Sequence, residues 1–250
     1  MVLNSASPSI NKSILLSAAL LAIAGGAQAQ KAGDDIISAG IVNVNPNPSL
    51  GVLNSTGGSS APATAFFNTQ TPGAGASSSS VNTLTVGWLH MFTDNIAGEI
   101  ALGIPPKITM DVTTPSAGVK SHPGAATATY LAPAIIAKYL FNKPSDQWRP
   151  YLGLGATYVS FSDVTANLSD PLVNNLAGTS ASLSSTWAPI YNAGVIYNIN
   201  DRWSINASVS YIPVSTTATF VSSAATGGAT TTGTLKLDTI DYVLRVGYKF

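Results

Sequence analysis

The feature that most constrains this chain is a hydrophobic period of two that recurs in short segments up to its last residue. In DYVLRVGYKF, Asp241 to Phe250, one face carries Tyr242, Leu244, Val246, Tyr248 and Phe250. The other carries Asp241, Val243, Arg245, Gly247 and Lys249. From Trp203 to Tyr211, five apolar residues alternate with Ser204, Asn206, Ser208 and Ser210. A helix would scatter those apolar residues around its circumference, so both segments read as strands. The same reading covers Asp35 to Val44, Thr83 to Phe92, Ile96 to Gly103, Ala126 to Phe141, Trp148 to Phe161 and Thr186 to Ile199. That makes about eight strands, near the small end of the range for closed membrane barrels.

Composition decides which face points inward. Hydrophobic residues make up 45% of the chain and charged ones only 9%, with a mean hydropathy of +0.26, whereas roughly a quarter of the residues in soluble domains are charged. Yet no apolar run is long enough for a bilayer helix. The longest, Ile14 to Ala24, follows Lys12 and leads into Ala27-Gln28-Ala29, the charged, apolar and small-residue order of a secretory signal. Residues 1–29 are therefore expected to be a cleaved signal peptide and residues 30–250 a single domain. Its surplus of apolar surface is then accounted for by strands that turn their greasy faces to lipid and their polar faces to a lumen.

The links support this. Every second one is brief: Thr93 to Asn95, Asn142 to Gln147, and Asn200 to Arg202. The others are long and rich in Gly, Ser, Thr, Ala and Pro: Asn45 to Asn82, Ile104 to Ala125, Ser162 to Ser185 and Val214 to Gly233. The expected fold is all-β, an eight-stranded antiparallel transmembrane up-and-down β-barrel with short periplasmic turns and long extracellular loops. Phe92, Tyr139, Phe141, Trp148, Tyr197, Trp203, Tyr248 and Phe250 fall beside the short turns or the C-terminus, and Tyr158, Trp187, Tyr211 and Tyr242 toward the long links. Two aromatic heights are what the two interfaces of a bilayer select.

With the lipid-facing phase assigned, the lumen receives Leu89, Met91, Ala101, Ile196, Ser208 and Ser210 as candidate path residues. Glu99, Lys138 and Arg245 form a candidate charge cluster toward the periplasm, with Glu99 and Lys138 on neighbouring strands and expected to pair. A solute halted above such a floor would leave sideways. Pro105, Pro106 and Pro133 mark the exit, because proline has no N–H to give to a strand ladder.

The chain has no cysteine, so thiol chemistry and cysteine-held metal are excluded. His90, on the lipid side, and His122, in a long link, are read as an interfacial side chain and a solvated one. They form neither a triad nor a metal site. Gly153-Leu154-Gly155 is not a nucleotide loop, since the strand continues through it. A net charge of zero disfavours nucleic acid. No cofactor and no enzymatic activity are expected.

The stretches "GDDIISAGIVNVNPNPS", "FTDNIAGEIALGIPPK", "YLAPAIIAKYLF", "WRPYLGLGATYVSF", "AGVIYNINDRWSINASVSYI" and "LDTIDYVLRVGYKF" together resemble the OmpW family of outer-membrane proteins, with its AlkL-like hydrocarbon-uptake relatives. The resemblance implies a narrow outer-membrane barrel whose interior takes small hydrophobic molecules and helps them past the lipopolysaccharide layer. Its expected partners are outer-membrane lipids and lipopolysaccharide, small hydrophobic solutes and the barrel-assembly machinery. That machinery would read Tyr248 and Phe250 as a terminal signal. The alternative is a structural or adhesive surface barrel acting through its long loops; a lipid A modifying enzyme ranks below it.

Overall fold

The computed structural model describes residues 30–58, 75–114 and 120–250. The signal-peptide expectation for residues 1–29 lies outside them. Twelve strands are present among the described residues: β1 (Asp35–Thr56), β2 (Gly75–Ser78), β3 (Val81–Met91), β4 (Ile96–Gly103), β5 (Lys107–Thr114), β6 (Lys120–Leu131), β7 (Ala134–Leu140), β8 (Trp148–Ala166), β9 (Ser180–Leu183), β10 (Thr186–Asn198), β11 (Trp203–Val221) and β12 (Thr230–Lys249). A short α-helix, α1 (Pro171–Ala177), and a 3₁₀ turn at Ala224–Thr226 interrupt them.

Eight of the strands close a ring. β1 pairs with β3, and the ladder runs on through β4, β7, β8, β10, β11 and β12 back to β1. Every pairing in it is antiparallel. The closing seam is long, from Ile36 opposite Lys249 to Thr56 opposite Thr230. Closure follows from the faces the strands present: an open edge would leave a row of N–H and C=O groups unpaired beside apolar side chains.

Near the short turns the outer face is apolar. Ile37, Ile41, Leu84, Trp88, Leu152, Leu154, Leu244 and Val246 all point outward and are exposed. Ring contacts gird this end: Tyr139 with Phe141, Trp148 with Tyr197, and Trp203 with Tyr248. A second girdle holds Tyr158 against Trp187 and Tyr191 against Tyr211. From Trp148 to Tyr158 along β8, a rise of about 3.4 Å per residue and a tilt near 40° give a height of roughly 25 Å, the thickness of the apolar band of such barrels.

Beyond the second girdle the pattern inverts on the same strands. Along β12 the inward positions change from Arg245 and Asp241 to Leu237 and Leu235, while the outward ones change from Leu244 and Tyr242 to Lys236 and Thr234. β11 does the same, passing from Ser204 and Ser210 inside to Ile212, Val214 and Ala218. A strand leaving lipid for water must exchange its faces, and here that exchange builds a second, conventional core at the long-link end. It gathers Ile108, Ala128, Tyr130, Val159, Ile190 and Leu235.

This corrects the reading of the long links. Much of Asn45 to Asn82, Ile104 to Ala125, Ser162 to Ser185 and Val214 to Gly233 is strand that rises beyond the apolar band. Small, Thr-rich and Gly-rich sequence hid the alternation there. The segment from Ala126 to Phe141 is also two strands, since β6 ends at Leu131 and β7 begins at Ala134, with Pro133 between them.

Two glycines contrast how closely neighbouring strands approach. A Cβ on Gly155 would meet the backbone of Ile135 and Ile136, whereas one on Gly103 would find its nearest neighbour, the Leu84 carbonyl oxygen, at an ordinary 3.5 Å. Backbone cannot step aside as a side chain can. Gly155→Ala is therefore expected to destabilise the folded barrel by about 1–3 kcal/mol, and Gly103→Ala by no more than about 0.5 kcal/mol. Urea unfolding in lipid vesicles, followed by heat-modifiable gel mobility, measures both; equal losses would contradict the close approach at Gly155.

Candidate functional site

The lumen near the short turns is filled in layers. Lowest is an apolar layer that includes Met91, Ala97, Leu140 and Ile196. Arg149 is fully buried beside it: one guanidinium nitrogen donates to the Gln30 carbonyl at 2.6 Å and another to the Asp94 carbonyl. The Gln30 side chain in turn donates to Asn198 Oδ1 at 2.7 Å, and Asn198 donates to the Asp146 carbonyl. Residues from the start of the described chain, two short turns and β8 are thus tied into one plate across the barrel.

Above it lies a charge cluster. Glu99 accepts from Lys138 Nζ at 2.6 Å through one carboxylate oxygen and from Arg245 Nη1 at 2.8 Å through the other. All three side chains are buried. The Lys138 ammonium also sits 4.3 Å from the centre of the Tyr151 ring, and the Tyr151 hydroxyl donates to Asn206. One carboxylate shared by two cations is a compact way to hold three charges out of water, because each oxygen keeps a charged donor. The positions are set by the strand period: Glu99 on β4, Lys138 on β7 and Arg245 on β12 all fall in the inward phase.

Over the charge cluster lies a cavity of ≈ 90 Å³. Ala101, Ile136, Ile190, Ile212 and Asp241 line its inner side. Leu102, Gly103, Ile104, Pro106 and Ala132 also border it, and they belong to the barrel wall. At that height the ladder is interrupted. β4 pairs with β7 only as far as Ala101 opposite Ala134, and the next pairing, between β5 and β6, begins at Lys107 opposite Thr129. Across the gap a single bond joins the two sides, from the Tyr130 N–H to the Pro106 carbonyl at 2.9 Å. Pro105 and Pro106 lie between β4 and β5, and Pro133 sits between β6 and β7 with its carbonyl bonded to Thr157 and Tyr158 of β8.

Of the candidate path residues, Ala101 and Ser210 line the cavity. Leu89, Met91 and Ile196 do not: they pack in the apolar layer at the short-turn end. Their register explains it, since Leu89 lies opposite Glu99 and Met91 one inward position further toward the turn. Ser208, opposite Gly194 and Val243, does not itself line the cavity, although Val243 does. Tyr248 packs edge-on to Trp203, and Phe250 is 69% exposed beside the seam, its N–H bonded to the Asp35 carbonyl. Lys249 bonds Asp34 at 3.2 Å.

His90 lies on the outer face, bonded to Asp35 at 2.9 Å. His122 is not the solvated loop residue expected: it lies on β6 with its side chain 13% exposed, bonded to Asp170, which also caps α1. Sequence reasoning missed Arg149, Tyr151 and Tyr130. The signal for the first two was available, for both share the inward phase of β8 with Gly153 and Gly155. Tyr130 was hidden by the break at Pro133.

The family model described as the OmpW family matches residues 31–250. Outer membrane protein W of Escherichia coli (strain K12) is 31% identical over 236 residues, covering 91% of this chain and 93% of that protein. Outer membrane protein AlkL of Ectopseudomonas oleovorans is 27% identical over 189 residues, covering 75% of this chain and 71% of that protein. The crystal structure of the outer membrane protein OprG from Pseudomonas aeruginosa is similar in fold, with a TM-score of 0.75 at 24% identity over 90% of this chain and 99% of that one.

The shared carboxylate makes the charge cluster asymmetric toward substitution. Glu99→Gln leaves two buried cations without their counter-charge, and is expected to cost roughly 3–5 kcal/mol. Lys138→Met leaves the Glu99–Arg245 pair intact and should cost clearly less. Urea unfolding of the two variants checks the order; a reversed order would show that Glu99 is not the hub.

Proposed function

The chain belongs to the OmpW family of outer-membrane β-barrel proteins, and on that premise we propose that its ring of eight strands spans the bilayer and gives passive passage to small hydrophobic molecules. The short turns face the periplasm and the strand extensions rise outside. A solute enters from the long-link end, where the inner face is apolar, reaches the cavity above Glu99, and leaves through the wall into the bilayer. The barrel's partners on this reading are the lipids and lipopolysaccharide around it, the solute, and the machinery that inserts it.

The observation that carries this reading is the pairing of a sealed floor with a broken wall at the next level up. Below the cavity, passage would require an apolar solute to displace the bonds among Glu99, Lys138 and Arg245 and then those of Arg149, Gln30 and Asn198. Each buried polar group stripped of its partner costs about 1–3 kcal/mol, with charged groups costing more. Sideways, between Gly103 and Ala132, no ladder pairing closes the wall, and one backbone bond, from the Tyr130 N–H to the Pro106 carbonyl, crosses it.

The chain's lack of cysteine makes the test clean. Gly103→Cys with Ala132→Cys, bridged by a short thiol cross-linker, is expected to stop uptake of a radiolabelled alkane into cells while heat-modifiable mobility stays normal; cleaving the linker restores it. Uptake that survives the bridge sinks lateral exit. Uptake that survives the bridge but changes in Glu99→Gln cells routes the solute through the floor instead. The same reading gives the exposed terminal aromatic an assembly role: deletion of Phe250 is expected to lower the inserted fraction in cells, read by the same gel shift, and unchanged insertion would remove that role.

A further inference from the structure

Three buried polar atoms around the cavity have no hydrogen-bonding partner among the described residues: the Tyr130 hydroxyl, Asp241 Oδ1 and Arg245 Nε. All three side chains belong to the cavity lining. A bare hydrocarbon seated there would shut them away from water and bond none of them, which is unfavourable in a low-dielectric interior. The remainder of the lining is suited to an apolar body, with Ile136, Ile190 and Ile212 buried around it. The seat is therefore amphipathic.

Charge narrows the ligand further. Lys138 and Arg245 are both already bonded to Glu99, and neither bonds Asp241. A charged head would have to shed its water among apolar residues, with both cations already taken. A neutral head that both donates and accepts can partner two of the three unpaired atoms, the Asp241 oxygen and the Tyr130 hydroxyl, and a hydroxyl does both.

We propose that the cavity is a seat for an uncharged amphiphile with an apolar body and one hydroxyl head. The hydroxyl donates to Asp241 and accepts from Tyr130, while the body lies against the three isoleucines. This rests on the conduit reading for what happens to the ligand afterwards, and not for its binding. Tyr130 and Asp241 are then specificity-determining residues of the path.

The test compares octanol with octane, which match in length and differ in the hydroxyl. Binding to the purified barrel in phospholipid nanodiscs is read from the methyl NMR signals of Ile136, Ile190 and Ile212, with lipid-facing Ile37 and Ile41 as references. At equal aqueous concentration, octanol is expected to bind about tenfold more tightly than octane, the worth of one or two net hydrogen bonds. In Tyr130→Phe with Asp241→Val the ratio should fall to near one. Should that double variant fail to fold, Tyr130→Phe alone removes only an oxygen and should lower the ratio roughly threefold.

Equal binding of the two probes by the wild type, or an unchanged ratio in the variants, overturns the proposal and leaves the unpaired atoms to water. Uptake of both compounds by cells with and without the barrel is measured in parallel. Octanol that binds but is not taken up upholds the seat and sinks the conduit. Uptake without any preference in binding upholds the conduit and sinks the seat.

Discussion

Within a bilayer no water is available to a peptide group, so every backbone N–H and C=O must find its partner in the protein. The long pairing of β1 with β12 is the local expression of that constraint, and most of the architecture follows from it. Closing the ring removes both edges. It also fixes how narrow the barrel is, because eight strands leave an interior that side chains can nearly fill. The glycines at tight crossings and the small residues at inward positions accommodate a ring of this size.

A narrow interior makes the floor. Glu99, Lys138, Arg245, Tyr151, Arg149 and Gln30 come from different parts of the chain, yet there is room for only one such stack, and each must be bonded because none can reach bulk water. The ladder is interrupted at the wall beside Pro106 and Pro133, where two pairings end and two others begin at the same height, and again between β10 and β11 beyond Tyr191 opposite Tyr211. Imino residues cannot donate, and the interruption beside Pro106 and Pro133 borders the cavity. The bonded floor and the interrupted ladder beside the cavity both follow from where hydrogen bonds can be made.

The strand extensions obey the opposite solvent. Where β11 and β12 leave the apolar band, the residues facing inward change from polar to apolar and the outward ones from apolar to polar, on an unbroken period of two. The part above the membrane is therefore a soluble β-structure in its own right, continuous with the membrane part. Its core lies directly over the cavity, which places an apolar surface at the mouth of the lumen.

The membrane half was legible in the sequence because lipid demands strict alternation: DYVLRVGYKF and WSINASVSY state their strand, their phase and their outward face by themselves. The short turns, the two aromatic heights and the inward phase of Glu99, Lys138 and Arg245 followed from that periodicity. The extensions were less legible, since Thr, Ala, Ser and Gly occupy both faces of STTATF and TTTGTL with little contrast in hydrophobicity. What only the tertiary structure decided is register, meaning which inward residues share a height. A period of two assigns a face but not a level. Thus Glu99 meeting both cations, Leu89 and Met91 falling beside or below the charges, and Tyr130 with Asp241 opening onto one cavity all depend on how far each strand slides past its neighbour when the ring closes.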